Sequence, residues 1–159
     1  MSDDAARARE RALRLLAVRA RSRREVEERL RRSGFSEEAV RAAVESLQAA
    51  GYLDDRSFAR ELASSRLRGR PVGRLRILHD LVRRGIEPRE AEEALEAALE
   101  SESEESELER AIRAARSRLG EGPATWDDKS VARMVRFLKG RGFTGETIRK
   151  ALARLGAGL

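Results

Sequence analysis

Leu30-Arg31-Arg32-Ser33-Gly34-Phe35 returns twice in this 159-residue chain, as Leu81-Val82-Arg83-Arg84-Gly85-Ile86 and as Leu138-Lys139-Gly140-Arg141-Gly142-Phe143. The glycines stand 51 and then 57 residues apart, and counting from each, positions minus four, plus one, plus six, plus nine and plus ten are apolar in all three copies. A leucine one turn before a glycine, followed by an apolar residue and a second apolar stripe, describes two helices joined by a tight turn. A unit recurring at about fifty residues marks an array of modules, each too small to bury an adequate core alone.

Working outward from the turns, each module reads as three helices. The first module has a helix over 4–20, a capping box at Ser22 and Glu25 that starts the next, a stop at Gly34, and a third helix capped by Ser36 and running to about Ala50. In the second, Asp54 or Asp55 caps a helix to about Arg68, the break Gly69-Arg70-Pro71-Val72-Gly73 cannot stay helical, and Pro88 opens a helix to about Glu100. The third follows a Ser/Glu-rich segment, 101–106: a helix with Leu108, Ile112 and Ala115, a break at Gly120-Glu121-Gly122-Pro123, a helix capped by Asp127 or Asp128, and a last helix ending near Leu155. The expected fold is all-α, three tandem three-helix repeats in an elongated, curved array, with units at 1–53, 54–100 and 101–159.

Composition agrees and excludes much else. Charged residues make up 39% and aromatics 4%, with three prolines and an abundance of strong helix formers. No cysteine is present, which removes disulfides, thiolate metal sites and cysteine nucleophiles; the single histidine, His79, lies off the apolar stripe of its helix and reads as an exposed polar residue. No apolar run approaches the roughly 18 residues of a membrane span, and Met1-Ser2-Asp3-Asp4 does not open a signal segment. The expectation is a cytoplasmic, monomeric protein without metal or cofactor. It is not an enzyme, because no nucleophile, base and orienting group share a plausible spacing.

The net charge of +6 and sequence pI near 10.7 point to a polyanionic or acidic partner. The charge is segregated: residues 56–84 hold nine arginines against Glu61 and Asp80, whereas 87–109 hold eleven glutamates and only Arg89. The strongest candidate is the run Arg66, Arg68, Arg70, Arg74 and Arg76 around the glycine-flanked loop, with Arg83 and Arg84 beyond it; guanidinium groups there fork onto phosphates or carboxylates. Arg19, Arg21, Arg23, Arg24 and, on the last helix, Arg149, Lys150 and Arg154 are secondary candidates. The glycine turns imitate a helix-turn-helix, but the third helices of repeats one and two carry glutamates where phosphates would lie, so the turn is hairpin geometry rather than groove reading. Tyr52, Trp126 and the phenylalanines sit at core or staple positions rather than on a base-stacking platform. Asp54-Asp55 and Asp127-Asp128 are helix caps.

Gly51-Tyr52-Leu53-Asp54-Asp55-Arg56-Ser57-Phe58-Ala59, the loop Gly69 to Gly73 followed by Ile77, Leu78, Leu81 and Gly85-Ile86, and Phe137-Leu138-Lys139-Gly140-Arg141-Gly142-Phe143 followed by Ile148 resemble, in that order, the RecX family, bacterial regulators of the RecA recombinase. The stretch 51–59 carries the most specific similarity; the segment from Glu100 to Glu109 and the loop before Trp126 match less well. The resemblance implies tandem three-helix repeats and binding to RecA, particularly its filament on single-stranded DNA. It further implies restraint of ATPase, strand exchange and co-protease activity in DNA repair, recombination and the SOS response. An alternative is a stand-alone basic repeat protein that binds single- or double-stranded DNA with no recombinase partner; another is a helical scaffold for an acidic protein.

Overall fold

The computed structural model describes residues 1–102, 104–120 and 125–158. Among these there are nine helices and no strand: α1 (Asp3–Val18), α2 (Arg23–Arg32), α3 (Glu37–Ala49), α4 (Asp55–Arg68), α5 (Arg74–Arg83), α6 (Pro88–Glu102), α7 (Glu107–Leu119), α8 (Asp128–Gly140) and α9 (Gly145–Arg154). The starts are set by short polar side chains accepting orphan N–H groups. Ser22 with Glu25, Ser106 with Glu109 and Asp127 with Ser130 form reciprocal capping boxes, while Ser36, Asp54 and Thr144 cap alone. Gly34, Gly85 and Gly142 end α2, α5 and α8 with φ near +90°, and the next residue's N–H returns to the carbonyl of Leu30, Leu81 or Leu138. Of the expected break 120–123, residues 121–123 lie outside the described residues.

Three separate cores follow one another along the chain. In each, the first and third helices pair and the middle helix closes the bundle. Alanines at helical spacing allow close pairing: Ala5, Ala8 and Ala12 with Ala39 and Ala43, Ala59 and Ala63 with Ala91, Ala94 and Ala98. Leu30, Leu81 and Leu138, the leucines one turn before each glycine, are wholly buried, as are Ile86 and Phe143 just after it. Tyr52 departs from expectation. It follows Gly51 in the same way yet is 59% exposed, because the chain turns once more and puts Leu53 into the core instead. Val82, expected on the apolar face of α5, is also exposed. Trp126 packs against the third core and its Nε1–H donates to the Leu155 carbonyl at 3.1 Å.

The modules join through their middle helices, end to end. The Ser22 hydroxyl, at the start of α2, donates to the carbonyl of Arg84 at the end of α5. One module further on, the Gly73 N–H at the start of α5 donates to the carbonyl of Arg141 at the end of α8 (2.8 Å), and the Leu75 N–H to that of Gly142 (3.1 Å). At the second junction orphan donors of α5 thus meet orphan acceptors at the end of α8, and at the first the cap hydroxyl of α2 takes that part for the end of α5. A β-carbon at Gly73 would collide with the backbone of Gly142 and Phe143, so a close approach, not a turn, demands that glycine. Away from this axis, Arg110 is 3% exposed and donates to the Val72 and Glu105 carbonyls, fastening the 69–73 loop to the third repeat.

Candidate nucleic-acid and partner interface

The expected basic cluster is dispersed among internal ties. Arg66 Nε donates to Asp80 at 3.0 Å, joining α4 to α5; Arg68 bridges Glu61 and Glu102 at 3.2 and 2.9 Å, joining α4 to the end of α6; Arg74 reaches Glu96 at 3.1 Å. Arg76 pairs with Asp80 at 3.4 Å and donates to the Gly140 carbonyl of the third repeat. Only Arg70 and Arg83 of that set are exposed with no ion pair among the described residues. Arg84 lies 5.1 Å from the Phe58 ring centre and pairs with Glu25, which Arg19 also holds, at 3.1 Å. Burial pushes the Glu25 carboxyl up, but the Ser22 N–H and the two guanidinium groups outweigh it and hold it below the usual carboxylate range.

The secondary candidates divide in the same way. Arg23 and Arg24 are occupied by Glu27 and Glu28, one turn along α2, and the backbone N–H of Arg23 donates to Asp55 at 2.7 Å, a second tie between repeats one and two. Arg21 donates to the Leu15 carbonyl, and partial burial lowers its pKa. On α9, Lys150 pairs with Glu146, whereas Arg149 and Arg154 are exposed and unpaired among the described residues.

A continuous run of open charge lies on a different element. Lys129, Arg133, Arg136 and Lys139 fall on one face of α8 at spacings of four, three and three residues; all are exposed, and none makes an ion pair or side-chain hydrogen bond among the described residues. By helical rise they span about 15 Å, the length of roughly four phosphates along one strand of a duplex. Concavities of about 250 and 410 Å³ flank Arg133, one lined by Arg118, Leu119, Ser130 and Met134, the other by Asp127, Asp128, Lys129, Ala132 and Arg136. The acids nearby, Asp127 and Asp128, lie at the helix start, where Asp127 accepts from the Ser130 N–H at 2.7 Å. The signal was in the sequence: four cations at helical spacing with no acid one turn away from them, unlike Arg23 and Arg24. By contrast Glu87, just before α6, and Glu90, Glu92, Glu93 and Glu96 on it are exposed to solvent, a face that repels phosphates.

Among the described residues no group of three potential ligands could hold a metal ion, and no described helix is long and apolar enough to cross a membrane. A cleft of about 620 Å³ between repeats one and two is lined by Arg19, Glu25, Phe58, Leu62 and Arg84, among others, with no nucleophile and base in contact.

Fold and surface together define a tandem three-helix-repeat protein with an exposed basic face on α8. Models of the first, second and third three-helix domains of RecX match residues 8–47, 54–95 and 104–152. The regulatory protein RecX of Acidithiobacillus ferrooxidans is 42% identical over 141 residues, 89% of this chain and 85% of the relative. That of Chlorobaculum tepidum is 36% identical, covering 89% and 83%. The crystal structure of RecX from Lactobacillus salivarius superposes with a TM-score of 0.78 at 20% identity, over 98% of this chain and 99% of that one, and shows the same fold. The chain belongs to the RecX family of regulatory proteins.

Proposed function

We propose that this protein regulates RecA, chiefly as an inhibitor, by binding the RecA–single-stranded DNA filament along its groove and restraining ATPase, strand exchange and co-protease activity. The observation that carries the reading is the exposed, unpaired cation track of α8, which meets a phosphate backbone without first breaking internal ion pairs. Arg149 and Arg154 on α9 and Arg70 and Arg83 in repeat two are further exposed, unpaired cations among the described residues; most of the other candidate arginines hold helices together within a repeat, and Arg84 and Arg76 reach across the junctions. Three modules, taken as units over 1–53, 54–100 and 101–159, let one monomer touch more than one filament subunit. A ligand that prefers one filament state shifts assembly or nucleotide turnover through linkage, with no chemistry of its own, in the cytoplasm where the filament forms.

The test is the ATPase rate of RecA on single-stranded DNA, titrated with this protein at substoichiometric ratios. Inhibition well below one copy per RecA subunit supports a filament regulator. Unchanged turnover with DNA still bound replaces it by the stand-alone DNA-binding reading, which the same α8 track would serve.

A further inference from the structure

The two junctions between repeats bring the same helix ends together, by a serine hydroxyl at the first and by backbone N–H groups at the second, and differ in charge. At the first, Arg84, the residue before the turn glycine, faces Glu25, three residues after the cap of α2, and the two pair at 3.2 Å. At the second, the residue before the turn glycine is again an arginine, Arg141, but the position three after the cap of α5 is Arg76. The Arg141 guanidinium therefore has no carboxylate. It lies 5.4 Å from the Phe137 ring centre, its Nε is sealed from solvent with no hydrogen-bond partner, and Arg118 lies 5.4 Å from the same ring. Arg76 does not relieve this, since it shares Asp80 with Arg66. A buried N–H left unpaired costs about 1–3 kcal/mol, a cost that a ligand oxyanion would remove.

From this contrast we infer that the junction between repeats two and three is a binding site for one phosphate of a nucleic-acid strand, which supplies to Arg141 the negative charge that Glu25 supplies to Arg84. Phosphate is favoured over a protein carboxylate because Arg118 shares the Phe137 ring with Arg141, and Arg133 lies beside Arg118 and two turns before Arg141 on the same side of α8, so a strand on Arg133 is led to the junction. The Arg141 side chain is tied by stacking alone and turns its Nε–Nη edge outward without breaking an ion pair, giving the bidentate fork that phosphates prefer. The bound strand would brace α8 against α5 and stiffen the joint between the modules. This inference rests on the nucleic-acid part of the function proposed above.

Anisotropy of a fluorescein-labelled oligothymidylate, measured across a salt series, tests it. Arg141→Met keeps the stem over Phe137 and is expected to weaken binding about threefold or more and to lower the salt slope by about 0.7, one single-strand phosphate contact. Arg76→Glu installs the carboxylate of the first junction; it is expected to weaken binding, to raise the midpoint of thermal unfolding, and to make a further Arg141→Met change silent. Arg141→Lys, which keeps the charge without the fork, should fall between wild type and Arg141→Met, with circular dichroism checking that each variant folds. Unchanged affinity in Arg141→Met, while glutamine at all four α8 positions weakens binding, would overturn the junction site and leave the α8 track standing. Unchanged affinity in both would overturn the nucleic-acid reading itself. An Arg141→Met variant that binds the strand normally but no longer inhibits RecA would assign the site to a protein carboxylate and overturn the phosphate.

Discussion

The five arginines around the 69–73 loop and the four cations of helix α8 use their charge in opposite ways. Around the 69–73 loop, Arg66, Arg68, Arg74 and Arg76 each find an acid on another helix or another turn, so this arginine-rich stretch uses its charge to hold α4, α5 and α6 together. Along α8, four cations face solvent with nothing to hold. The difference teaches that a basic surface is defined by unpaired charge rather than by charge density. A paired guanidinium must give up its partner before it meets a phosphate, and the exchange gains little.

The contrast breaks most severely if α8 is inverted. Changing Lys129, Arg133, Arg136 and Lys139 together to Glu is expected to lower affinity for RecA-coated or bare single-stranded DNA by about a thousandfold at moderate salt, with helicity retained. Electrophoretic mobility shifts and far-ultraviolet circular dichroism would check both halves. A smaller but structural effect is expected at the joints. Gly73→Val places a side chain into the backbone of Gly142 and Phe143, and should cost about 3 kcal/mol in denaturant unfolding, as a severe overpacking does.

Replacing Arg66, Arg68 and Arg74 together by Ala sharpens the comparison from the other side. Each exposed pair contributes about 0.2–1 kcal/mol, so unfolding should become easier by about 1–2 kcal/mol while filament affinity changes less than threefold. The smallest effect concerns Glu25. Its folded-state pKa is depressed, so its stabilisation of the first junction is present above the ordinary glutamate value of about 4.3 and is lost as pH falls through the lower folded value. Glu25→Gln should lower the neutral plateau of a stability–pH profile and flatten its acid limb; an unchanged acid limb would remove Glu25 from the joint.

Much of the fold was legible in the sequence because it depends on local rules. The leucine–glycine–apolar signature gave Leu30, Leu81 and Leu138 as core residues, and Ser22, Ser36 and the aspartate pairs marked helix starts within a residue or two. Tyr52 escaped because a second turn after Gly51 moved the inward position to Leu53. The candidate site was far less legible. Arg66 and Asp80 are 14 residues apart and Arg68 and Glu102 are 34 apart, and only folding brings each pair together. Arg110 looked like any surface arginine until a loop carbonyl, that of Val72, reached it. The α8 track required only helical periodicity and the absence of acids one turn away, yet the denser run of arginines next to a glycine loop obscured it.

The most direct test places the two regions side by side: inhibition of the RecA ATPase on single-stranded DNA by the α8 quadruple Glu variant and by the Arg66, Arg68 and Arg74 triple Ala variant. The expected result is inhibition lost in the first and kept, at near wild-type concentrations, in the second. Inhibition kept in the first and lost in a still-folded second would contradict it, returning the partner surface to the arginines around the 69–73 loop.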